Sequence, residues 1–299
     1  MKVLVLGASG LLGHTVFRVL GADGRFRVTG TTRDESTREH FAPALRGLLM
    51  PCGDLRVPTE LAGVLKRAAP EVVVNCLSAS RAELRNADAM KVISILSVLP
   101  RRLARLCADA GARLIHISSD GVFSGATGGY SEADLPDAAD LYGTAKLLGE
   151  ADGSHAVSIR TSMIGPELRS ANGLLEWFLA QQAECRAFPR AIFSGLPTIE
   201  LARVIGDFII PNKALAGVHH VAAAPISKLG LLRLVADVYR KAITLVPDDT
   251  VVIDRSLDAS KFRAATGYVA PDWPTLVRAM HADHRGSGAD SGRPPSPAT

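Results

Sequence analysis

The first fourteen residues narrow the folds open to this chain more than any other stretch. Val3–Leu6 is a short apolar strand, Gly7-Ala8-Ser9-Gly10-Leu11-Leu12-Gly13 follows it directly, and Leu11–Leu20 carries helical apolar spacing. Glycines at a strand-to-helix junction permit a tight turn, close approach of backbone N–H groups to a pyrophosphate, and dense helix-on-strand packing. Gly7, Ser9, Gly10, Leu11, Leu12 and Gly13 are therefore candidate cofactor contacts. A glycine triplet alone is a weak signal. Its place at the first strand–helix junction gives it weight.

The rest of the first half keeps that rhythm. Strands are expected at Arg25–Thr29, Glu71–Leu77 and Arg113–Ser118, with helices at Pro58–Ala69 and Ala89–Ala110. Strands apolar on both faces, separated by helices, predict an α/β fold: a Rossmann-type, doubly wound parallel sheet with ligands at the carboxyl ends of its strands. After about Arg160 the pattern loosens. Helices are expected at Gly173–Gln182, Pro197–Ile210 and Ile226–Arg240, and short strands at Ala191–Ser194, Gly217–Ala222 and Thr250–Ile253. This reads as too irregular to continue the sheet. The expected division is a cofactor domain over 1–160, a smaller mixed substrate lobe over 161–284, and a disordered Gly/Ser/Pro-rich tail over 285–299.

Composition removes several classes of function. The net charge of +4, from 34 basic and 30 acidic residues, is small and dispersed, which argues against a nucleic-acid partner. Cys52, Cys76, Cys107 and Cys185 lie far apart, without the paired spacing of a zinc site or a need for disulfides; reduced thiols and no metal are expected. Cys76 is expected to pack as a small hydrophobe inside its strand. No apolar run reaches a membrane span, and the glycine-broken N-terminus lacks the core of a signal peptide, so a cytoplasmic protein is expected.

Cofactor choice rests on the end of the second strand, where an acid would bond a ribose hydroxyl and an arginine a 2′-phosphate. Thr31-Thr32-Arg33-Asp34 offers Thr32 and Arg33 there, with the acid one step late, so NADP(H) is expected. Asp54-Leu55 is placed to meet the adenine edge. Tyr142-Gly143-Thr144-Ala145-Lys146 puts a phenol and an ammonium on one helix face. A nearby cation should lower the phenol's pKa and make proton exchange with a carbonyl oxygen feasible. Upstream, His116-Ile117-Ser118-Ser119 ends a strand in hydroxyls able to donate to such an oxygen.

These motifs, in this order, resemble the extended short-chain dehydrogenase/reductase superfamily, and in particular the branch of dTDP-4-dehydrorhamnose reductase and related sugar-nucleotide reductases. Ser118-Ser119-Asp120-Gly121-Val122-Phe123-Ser124-Gly125, Tyr130-Ser131-Glu132, Leu141 to Glu150, Ile159-Arg160-Thr161-Ser162, Phe193-Ser194-Gly195 with Pro197-Thr198, and Leu257 to Phe262 carry the likeness, which covers about Lys2 to His281. The resemblance implies a cytoplasmic NADP(H)-dependent reductase of a nucleotide-linked 4-keto-6-deoxy sugar, compatible with a homodimer. It assigns Tyr142 as proton donor, Lys146 to the nicotinamide ribose and Ser119 to the carbonyl oxygen. It places Cys76, Leu77 and Ser78 against the cofactor, and Phe123 and Phe193, with Trp177 and Arg190, against the substrate. Two departures bear on the sugar: Gly121 stands where that branch usually has tyrosine, and Asn75 to Ser80 is not its usual alanine-rich stretch. Ser119-Asp120-Gly121 lacks the glutamate of the related dehydratases. A sugar-nucleotide epimerase remains an alternative, as does a non-catalytic NADP(H)-binding subunit, because the regulatory beta subunit of methionine adenosyltransferase resembles the same branch.

Overall fold

A computed structural model describes residues 1–79, 83–84, 88–168 and 173–286. Six strands come from the first half: β1 Lys2–Leu6, β2 Arg27–Thr32, β3 Leu49–Pro51, β4 Val72–Asn75, β5 Arg113–Ile117 and β6 Ala156–Arg160. With Gly217–His220 they form one seven-stranded sheet in the order Gly217–His220, β6, β5, β4, β1, β2, β3, every pairing parallel. The order reverses between β1 and β4, and such a switch point opens a crevice for ligands.

Side chains alternate across each strand. Val3 and Val5 of β1 and Ile115 and Ile117 of β5 enter one core with Val16 and Phe17 of helix α1 (Gly13–Gly21), Leu201, and Leu276 of the C-terminal helix Trp273–Gly286. Leu4, Leu6, Val73 and Leu114 enter the opposite core with Leu61, Val64, Leu99 and Leu103. Burial on both faces explains why these strands read as continuous apolar runs.

The structure corrects five expectations. The second strand runs three residues further than Thr29, because Gly30 is a packing glycine and not a terminator: a Cβ there would lie 2.7 Å from the Phe17 ring. The fourth strand ends at Asn75, whose Oδ1 takes the N–H of Leu77 at 3.2 Å, so Cys76 is a half-buried residue just past the strand. After residue 160 the chain does return to the sheet, as Gly217–His220 pairs with Val157–Arg160. Thr250–Ile253 is likewise not a strand; the strands there are Thr244–Pro247 and Ile253–Asp254. The C-terminal helix runs to Gly286, into the segment read as tail, and 287–299 lie outside the described residues.

Candidate active site

The glycine turn is built as its spacing demands. Gly7 has φ +76°, and its N–H donates to Thr31 Oγ1 at 3.0 Å. A Cβ on Gly13 would sit 2.0 Å from the Gly7 carbonyl oxygen, so no larger residue fits without opening the turn. Leu12, preceding α1, offers no side-chain cap, and the His14 N–H is taken by the Gly10 carbonyl at 3.1 Å.

Two adjoining cavities lie along the carboxyl ends of the strands and share Arg33 and Leu77. One includes Gly7, Ser9, Thr32, Asp54 and Leu55 in its wall. The other, about 630 Å³, includes Gly10, Leu11, Leu12, Cys76, Ser78, Ser119, Tyr142 and Lys146. Every expected cofactor contact except Gly13, which is buried beneath the turn, lines one of the two. Arg33 is exposed, with no ion pair or side-chain hydrogen bond among the described residues. Asp34 lines the first cavity beside Arg33, and its Oδ1 accepts from Ser36 Oγ, Thr37 N and Thr37 Oγ1 at 2.7–3.0 Å. Asp54 is held by Arg56, whose second arm reaches Glu83 at 3.2 Å.

The helix Leu141–Leu148 begins on Asp140, which accepts the N–H of Gly143 at 2.7 Å. It carries Tyr142 against the end of β5, where the phenol shares a cavity wall with Ser119 and Ser78. Burial dominates the phenol and raises its pKa, with the Ser119 and Ser78 hydroxyls acting in the opposite direction and the Asp120 charge adding to the rise. This corrects the lowering expected from Lys146. That ammonium instead donates to the Ile117 carbonyl at 2.9 Å, and burial pulls its pKa down to about 8, against the Cys76 and Glu150 side chains. Burial also pushes the Cys76 thiol up to about 12, which makes it an inert lining group.

Beneath the site, Glu150 accepts Ser118 Oγ at 2.8 Å and pairs with Arg160 Nε at 2.7 Å and NH2 at 2.9 Å. Arg160 lies over the Phe123 ring, which also stacks on Tyr130 at 4.2 Å. Phe123 is therefore fully enclosed and does not reach the cavity, contrary to its expected substrate role. Phe193 is likewise packed, 5.7 Å from Trp273. Trp177 is 41% exposed and Arg190 is exposed, and neither lines the two cavities. His219 and His220 bond to the Ala216 and Tyr130 carbonyls, which supports their structural reading.

Sequence reasoning assigned no site role to Thr161, Ser162, Met163 and Glu167, which close the second cavity beyond β6. The signal was present: Thr161-Ser162 ends β6 in hydroxyls, as Ser118-Ser119 ends β5. Among the described residues no helix is long and apolar enough to cross a membrane, and no group of His, Cys, Asp and Glu is placed to hold a metal ion.

Comparison with known proteins bears on the family and the fold. Methionine adenosyltransferase 2 subunit beta of Xenopus laevis is 29% identical over 150 residues, 50% of this chain and 41% of that protein. The dTDP-4-dehydrorhamnose reductase of Burkholderia thailandensis is 33% identical over 153 residues, again 50% of this chain but 44% of that protein. The chain thus spans less than half the length of these relatives. The crystal structure of dTDP-4-dehydrorhamnose reductase from Bacillus anthracis, in complex with NADP, shares the fold with a TM-score of 0.77 at 17% identity, covering 94% of this chain and 99% of that one. The RmlD substrate binding domain matches residues 1–284, and the chain belongs to that family.

Proposed function

We propose that this protein is an NADPH-dependent reductase of a nucleotide-linked 4-keto-6-deoxy sugar. The observation that carries the reading is the convergence of Tyr142, Ser119 and Lys146 on the cavity that adjoins the glycine turn. The residues present fit a phosphorylated dinucleotide: a turn that only glycine can make at Gly13, a helix α1 that begins without a side-chain cap, and, beside Thr32, an Arg33 with no ion pair among the described residues. Gly7 to Gly13 would hold the pyrophosphate, Arg33 and Thr32 the 2′-phosphate, and Lys146 the nicotinamide ribose. The bound cofactor would supply a hydride to a carbonyl carbon. The carbonyl oxygen then gains negative charge and needs a proton, which Tyr142 holds at neutral pH because its phenol is raised. Ser119 stands beside the phenol to steady that oxygen.

Cofactor oxidation with a panel of keto-sugar nucleotides tests this reading, and at least one should be reduced stoichiometrically. Arg33→Ala should cost about 1.5–3 kcal/mol of NADPH affinity and leave NADH binding unchanged. Full retention of NADPH selectivity would remove the cofactor assignment. One observation favours a second reading: half of the chain aligns with the methionine adenosyltransferase beta subunit. A non-catalytic subunit would bind NADPH and oxidise none of it with any sugar of the panel.

A further inference from the structure

We propose that His14 is a positioning residue for the cofactor, holding the Gly10 carbonyl so that the Leu11 N–H faces the diphosphate. The proposal rests on the assignment of the glycine turn to a dinucleotide above. Gly10 closes that turn by donating its N–H to the Gly7 carbonyl at 3.0 Å. The Gly10 carbonyl is itself taken twice by one residue, by the His14 N–H at 3.1 Å and by His14 Nδ1 at 2.9 Å. A carbonyl oxygen has two lone pairs, so both are used.

This peptide acts in two directions. In a trans peptide the C=O and the following N–H point opposite ways, and no cis peptide occurs among the described residues. The Gly10 carbonyl points along α1 toward His14, so the Leu11 N–H points back out of the helix start. Gly10 and Leu11 both line the second cavity, and among the described residues the Leu11 N–H meets no acceptor. A donor fixed in that direction, at the positive end of a helix, suits an anionic oxygen. Rotation of this one peptide would turn the carbonyl toward the diphosphate and set two negative groups against each other.

The ring is held in its turn. A carbonyl only accepts, so Nδ1 carries the proton and Nε2 is left as an acceptor. Thr15 Oγ1 lies 3.3 Å from Nε2 and 3.3 Å from Thr198 Oγ1, at the start of the helix Thr198–Val204. Thr198 packs hard on Gly165, where a Cβ would fall 2.2 Å from its hydroxyl oxygen. His14, Thr15 and Thr198 are all buried. Burial lowers the imidazole's pKa against the pull of the Gly10 carbonyl, so the ring carries one proton near neutrality and adds no charge of its own. The rival role is a ring that only fills space between α1 and Thr198–Val204. The two roles predict opposite orders for two substitutions.

Asparagine places an amide N–H where Nδ1 stood, whereas leucine fills the site without a donor. NADPH affinity, read by fluorescence titration, should fall about threefold to tenfold in His14→Leu, the worth of one hydrogen bond, and return most of the way in His14→Asn. Melting temperatures should run in the reverse order, because leucine packs a buried site better. If the ring only fills space, affinity follows stability; His14→Leu binding NADPH as well as His14→Asn, or better, overturns the proposal. Thr15→Val is a milder variant of nearly the same shape that removes only the hydroxyl beside Nε2. It should cost about twofold to threefold in NADPH affinity, and an unmoved value overturns the proposal as well. Wild type that binds NADPH but reduces no keto-sugar removes the reductase reading and leaves this test in force. Wild type that binds no NADPH overturns both.

Discussion

Lys146 is 3% exposed and keeps its ammonium on a single carbonyl, that of Ile117. Its pKa in the fold, about 8, lies below the ordinary 10.5. Between those values the unfolded chain binds the extra proton, so this residue's contribution to stability rises with pH across that window. Lys146→Met removes the buried charge and should be more thermostable than wild type at pH below 8. The gap should narrow as pH rises toward 10.5, and melting curves across the range check it; a constant gap would contradict the burial argument. At this scale the sequence singled out Ser119, Tyr142, Lys146 and Arg33, and all four line the cavities. It did not disclose Phe123, because an aromatic ring beside the motif reads equally as a platform or as packing. Only Tyr130, Arg160 and His220, brought in from elsewhere in the chain, decide that it is packing.

Among the elements, the turn joining β1 to α1 is the one whose sequence and geometry agree most closely. Gly13→Ala should disrupt it, since the added methyl would fall 2.0 Å from the Gly7 oxygen, nearly on top of it. We expect NADPH affinity to drop at least tenfold, measured by fluorescence titration, with a smaller loss of thermal stability because α1 keeps Val16, Phe17 and Leu20 in the core. Unaltered affinity would mean that the turn does not cradle the pyrophosphate. The strand Gly217–His220 illustrates what local pattern hides. It is short, it carries two histidines, and its partner β6 ends 57 residues earlier, so nothing within the segment announces that it joins the sheet. Register between distant strands is a property of the assembled core.

For the molecule as a whole, the sheet order places the first cavity over β2 and β3 and the second, reactive side of the proposed mechanism over β4, β5 and β6. Buried ties hold that reactive side. Ser118, Glu150 and Arg160 connect the ends of β5, of the helix Leu141–Leu148 and of β6 through bonds of 2.7–2.9 Å. Tyr142 and Ser119 therefore ride on elements braced against each other, as a preorganised site needs. The parallel, doubly wound plan was legible because two-sided burial leaves an apolar signature in each strand. The shape of the substrate side was not, since Thr161, Ser162 and Glu167 gain meaning only once β6 lies beside β5.

The central claim is that Tyr142 gives the proton in a carbonyl reduction. The most direct measurement is the NADPH oxidation rate of Tyr142→Phe with the keto-sugar nucleotide that the wild type reduces. The ring stays and only the hydroxyl is lost, so folding and NADPH binding should persist while turnover falls by about 10²–10⁴. Turnover at the wild-type rate would contradict the account and leave the pairing of Tyr142 and Lys146 on one helix face without a catalytic role.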